Sequence, residues 1–125
     1  MAKDVTLPLP SHLQVIQRYD VGGFRISGVT FKGAVLVFPE RTLAWAVAGL
    51  DDVAEASLAE VVATPPDILL LGTGGAFQLV PPTLRTALQG RRIAVESMTT
   101  AAACRTYNLL LGEERKVAAA LLPLT

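Results

Sequence analysis

Residues able to do chemistry gather at two short turns. Gly72-Thr73-Gly74-Gly75 offers a hydroxyl and a run of backbone N–H groups, and Ser97-Met98-Thr99-Thr100 adds three more hydroxyls. Successive N–H groups in a glycine turn can form a nest for an anion. Gly72, Thr73, Gly74, Gly75, Met98, Thr99 and Thr100 are therefore the candidate ligand-binding crevice. The first turn lacks the full G-x-G-x-x-G spacing and no Walker lysine follows it, so no nucleotide cofactor is expected. Tight turning and close backbone approach also account for glycine here. Helix capping explains one of the two adjacent threonines. The expectation is that Thr100 caps, accepting from the N–H near Ala102 or Ala103, and that the other threonine faces a pocket.

No catalytic constellation accompanies these turns. Cys104 is the single cysteine and His12 the single histidine. A disulfide within the chain is excluded, and a zinc site built on cysteine or histidine has too few ligands. Cys104 follows Thr100 by four residues, near a helix start that could activate a thiol. The competing reading is a buried, inert core thiol, since no histidine lies near it in sequence to act as a base. Glu96 ends an apolar strand, where an acid must find a partner or shift its pKa. Arg105 is expected to pair with Glu113 or Glu96, and Asn108 to tie its helix to a loop.

Composition narrows the function further. The chain has 125 residues, 51% of them hydrophobic and 18% charged, which excludes disorder and suits one domain with a real core. Eleven basic and eleven acidic residues balance, so no global field attracts nucleic acid. No apolar run approaches the roughly 20 residues that cross a bilayer. The start, Met1-Ala2-Lys3-Asp4, does not read as a signal peptide, and a soluble, cytoplasmic protein is expected.

The elements that must position the two turns read in three blocks. Residues 1–12, with Leu7-Pro8-Leu9-Pro10, form an extended leader. Residues 13–50 are mainly β, with strands over 13–19, 24–27, 29–31, 34–38 and 42–48 joined by connections too short for crossovers, hence antiparallel. Trp45 lies in the last of these as a core or rim packer. Residues 51–125 alternate: helix over 52–63, strand 68–71, helix 81–88, strand 93–95, helix 100–111, strand 117–122. Thr64-Pro65-Pro66, Gly90 and Gly112 are the stops. The apolar runs of 68–71 and 93–95 suit parallel strands covered on both faces. Residues 43–50 are nearly all apolar and could expose a strand edge or face, through which a homodimer is possible.

The carboxyl-terminal half carries a more specific pattern. Glu96-Ser97-Met98-Thr99-Thr100-Ala101-Ala102-Ala103-Cys104-Arg105-Thr106-Tyr107-Asn108, then Glu113, Arg115 and Val117-Ala118-Ala119-Ala120-Leu121-Leu122-Pro123, resembles the signature of a small domain family of unknown function. That family includes mitochondrial complex-one (NADH dehydrogenase) assembly factor three and an adipogenesis-associated protein, and this chain looks like a bacterial stand-alone member. Gly72-Thr73-Gly74, Pro81-Pro82, the Gly23–Gly28 segment and Trp45 extend the match to nearly all residues after about 13. The resemblance implies an α/β, three-layer domain: a central mixed five-stranded sheet, helices and an additional β layer. It implies a non-catalytic binding or assembly module with a protein partner, no cofactor and no metal. The chain departs from the family pattern at Thr99, where an acid is common, at Gly75, where a charged or polar residue is common, and at Glu114, where glycine is common.

Overall fold

The computed structural model describes the backbone of Lys3–Asp4 and residues 10–125. The leader segment Leu7–Leu9 lies outside the described residues. Two sheets share the amino-terminal half. β1 (Lys3–Asp4), β2 (Ile16–Asp20), β3 (Gly23–Ile26) and β4 (Val29–Lys32) form an antiparallel four-stranded sheet in the order β1-β2-β3-β4. β5 (Val35–Phe38) and β6 (Arg41–Ala44) make a hairpin that enters the second sheet. β7 (Ile68–Thr73), β8 (Ala94–Met98) and β9 (Val117–Leu122) complete that sheet in the order β6-β5-β9-β7-β8, with β7 parallel to both β8 and β9 and β5 antiparallel to β9. The central mixed five-stranded sheet and the extra β layer are thus both present.

Strand residues of the central sheet alternate between two cores, as a pleat requires. Leu36, Leu69, Leu71, Ala118, Ala120 and Leu122 face the core that α1 (Ala59–Ala63) and α2 (Pro82–Gln89) cover. Val35, Val37, Leu70, Val117, Ala119 and Leu121 face the other, filled by α3 (Thr100–Gly112) and by Ile16, Tyr19, Phe24 and Ile26 of the small sheet. All six residues of β9 are buried, which is why its sequence reads as an unbroken apolar run. The chain leaves β7 through α2 to reach β8, then returns through α3 to β9 on the other side of β7. The strand order therefore reverses at the carboxyl end of β7, the place where ligands most often bind in α/β sheets.

Several sequence expectations need correction. The helix expected over 52–63 is broken into single 3-10 turns at Leu50–Asp52 and Glu55–Leu58, and only Ala59–Ala63 is α-helical. The break lies at Val53 and Ala54, both extended with ψ 115° and 173°, and the Ser57 hydroxyl caps the restart, accepting from the Ala54 N–H at 3.1 Å and donating to the Ala54 carbonyl at 2.9 Å. The strand expected over 42–48 stops at Ala44. Trp45 just beyond it is buried, with its indole N–H donating to the Ser57 carbonyl at 2.8 Å. Leu43, Val47 and Leu50 pack against the first core, so the apolar stretch 43–50 is partly covered within the chain. Glu96 is exposed, because β8 is an edge strand and its residues alternate between core and solvent. Beyond α3, Glu114 has φ +60°, the left-handed geometry that glycine adopts without strain.

Candidate functional site

At the reversal point the two turns meet. Gly72 and Thr73 end β7, Met98 ends β8, and Thr99 and Thr100 begin α3. Thr99, not Thr100, is the cap: its hydroxyl accepts from the Ala102 N–H at 3.3 Å. Thr100 does something else. Its buried hydroxyl accepts from the Gly74 N–H at 2.9 Å and donates to the Leu122 carbonyl. The Thr100 N–H in turn donates to the Gly74 carbonyl at 2.9 Å. One threonine thus ties the β7 turn and the end of β9 to the first turn of α3. The expectation erred because adjacent threonines offer the same cap chemistry, and only the fold brings Gly74 and Leu122 within reach of one of them.

The glycines divide by physical need. A Cβ on Gly72 would lie 2.9 Å from Leu121 Cδ2 and 3.2 Å from Thr100 Cα, so Gly72 permits α3 to approach β7. Gly74 has φ +89°, which disfavours any side chain. Gly75 is exposed, and a Cβ there would meet no atom within 4 Å. Thr73, only 5% exposed, donates its hydroxyl to the Ala76 carbonyl at 2.6 Å, with the Met98 carbonyl 3.2 Å away, and accepts from the Gln78 N–H at 3.2 Å. Ser97, Met98 and Thr99 are half-buried. The hydroxyls of Thr73 and Thr100 are therefore turned toward main-chain partners within the chain.

The remaining candidates sit beneath this junction. Cys104 is fully buried, and desolvation pushes its thiol up to about 12, against a weaker downward pull from the Arg105 guanidinium. Burial also raises the Tyr107 phenol, whose hydroxyl has no hydrogen-bond partner among the described residues. Asn108 ties α3 to a strand rather than a loop: its side chain accepts from the Ile16 N–H at 3.0 Å and donates to the Ile16 carbonyl at 2.8 Å. Arg105 reaches the Tyr19 hydroxyl at 3.5 Å in place of the expected acid. Among the described residues no group of three His, Cys, Asp or Glu could hold a metal ion.

Residues 16–122 match the protein family described as a protein of unknown function (DUF498/DUF598). The chain belongs to that family. An uncharacterized relative from Rhodobacter capsulatus is 38% identical over 109 residues, covering 87% of this chain and 84% of the relative. The NADH dehydrogenase [ubiquinone] 1 alpha subcomplex assembly factor 3 of Danio rerio is 38% identical over 111 residues, covering 87% of this chain and 64% of that protein. The chain thus spans just under two thirds of that assembly factor. Among solved structures of the family's fold, a protein from Bartonella henselae described as an outer membrane protein aligns with a TM-score of 0.84 at 31% identity, covering 92% of this chain and 98% of that one. In this family member no helix among the described residues is long and apolar enough to cross a membrane.

Proposed function

We propose that the chain is a non-catalytic binding module that helps a respiratory or other membrane complex to assemble, working in the cytoplasm through a protein partner. The observation that carries this reading is its similarity to an assembly factor of NADH dehydrogenase across most of its own length. The site chemistry is in keeping with it. The hydroxyls of Thr73 and Thr100 are spent on main-chain partners and the Cys104 thiol is held protonated by burial, so the turn junction serves as scaffold.

The test is deletion of the gene in its own host, with membrane complexes resolved by native electrophoresis. The expected result is a loss of mature complex and a rise in subassemblies, both reversed by the wild-type gene. In-cell crosslinking should recover a subunit or assembly intermediate with the tagged chain. Mature complexes at wild-type level in the deletion strain, or no crosslinked partner above background, overturn the assembly reading.

A further inference from the structure

We propose that the loop 76–79, with the neighbouring turn 48–52, is a docking surface for a basic, amphipathic segment of a partner protein. The inference rests on the assembly reading above and adds the place and chemistry of the contact. Phe77 and Leu79 are 55% and 76% exposed although both are large apolar side chains. The buried Thr73 hydroxyl imposes this, because it binds the residues on each side of Phe77: the Ala76 carbonyl and the Gln78 N–H. With the main chain held at both flanks, the loop presents its apolar side chains to solvent in a fixed arrangement. A rigid apolar anchor of this kind loses little conformational freedom on binding. Gln78 lines a concavity of about 410 Å³ shared with Gly49, Asp51 and Asp52.

The charged residues that line this concavity, Asp51 and Asp52, have one sign. The Asp52 carboxylate accepts from the Ala48 N–H at 2.8 Å, and Asp51 is exposed with no ion pair among the described residues. An exposed apolar pair flanking Gln78, next to two carboxylates without an ion pair among the described residues, is complementary to aliphatic side chains interspersed with lysine or arginine. An acidic segment would meet like charge, and a neutral apolar one would strip water from the carboxylates without replacing it.

The experiment uses two synthetic helical peptides of equal length, one built of leucine and lysine, the other of leucine and glutamate, titrated into the labelled protein and followed by amide NMR shifts. The leucine–lysine peptide should shift the amides of 49–52 and 76–79 and bind more weakly as salt rises. Phe77→Ser with Leu79→Ser should weaken it about tenfold or more, and Asp51→Asn should flatten its salt dependence. All three positions are exposed, so the amide spectrum away from the patch should stay unchanged. Absence of binding, equal binding of the glutamate peptide, shifts centred elsewhere, or self-association of the wild type through the same residues each overturn the proposal. In the host, the Phe77→Ser, Leu79→Ser chain should fail to restore complex assembly. If it restores assembly fully, the docking surface is refuted while the assembly role stands; a deletion without an assembly defect removes the role itself.

Discussion

Replacing Thr100 by valine keeps the shape of the side chain and removes one hydroxyl. That hydroxyl serves two main-chain groups at once, the Gly74 N–H at 2.9 Å and the Leu122 carbonyl, in a position with no solvent access. Neither group gains water in the variant, so each bears its own desolvation penalty, about 1–3 kcal/mol. Taking about 1.5 kcal/mol for each puts Thr100→Val near 3 kcal/mol. At this chain length that corresponds to a fall in Tm of roughly 10 °C. Thr99→Ala loses one exposed-end cap bond of 3.3 Å and should cost about 0.5–1 kcal/mol. Thr100→Ser retains both hydrogen bonds and should cost about 1 kcal/mol for the lost methyl group. Urea denaturation followed by circular dichroism checks the order, with an unchanged m-value confirming that stability alone has moved. If Thr100→Val lies within about 0.5 kcal/mol of wild type, or costs less than Thr99→Ala, the two-sided tie has no energetic weight and the reasoning fails.

Four further outcomes follow from the same geometry. Gly74→Val should cost at least about 2 kcal/mol in urea melts, because a β-branched residue must take up φ +89°. Glu114→Gly should raise stability by roughly 0.5–1 kcal/mol by relieving the left-handed conformation at φ +60°, and an unchanged or lower melting temperature would contradict this. Cys104, ordinarily at 9.0 and pushed up to about 12, ionises more readily unfolded than folded, so its contribution is intact below about pH 9 and lost as pH climbs from 9 toward 12. Stability should fall over that window by at most about 1.4 kcal/mol per pH unit, with a shallower fall in Cys104→Ala, and thiol reagents should label Cys104 only in denaturant. Tyr107→Phe removes a buried hydroxyl without a partner and should leave stability unchanged or raise it by up to about 1 kcal/mol, whereas a clear loss would reveal an ordered water on that oxygen.

What the sequence determined by itself was local in origin. The apolar runs of β7 and β9, the proline start of α2, and the glycine and threonine turns are set by neighbours along the chain, through burial on both faces, fixed φ and cap chemistry. Alternating strands and helices after residue 67 follow from those signals. So does the meeting of the two turns, because right-handed crossovers leave parallel strands with their carboxyl ends together.

Only the tertiary structure decided how side chains of similar type divide their work. Thr99 and Thr100 are chemically alike, yet Thr100 is recruited by Gly74 and Leu122, 26 and 22 residues away. Asn108 meets Ile16 across 92 residues, a separation beyond any spacing rule. Glu96 reaches water because β8 is an edge, and sheet order is not written in the strand itself. Phe77 and Leu79 have core composition and stand in solvent, since the Thr73 hydroxyl fixes the backbone around them. Each of these outcomes depends on a partner distant in sequence, and hydrogen bonds and burial act through space without regard to chain position.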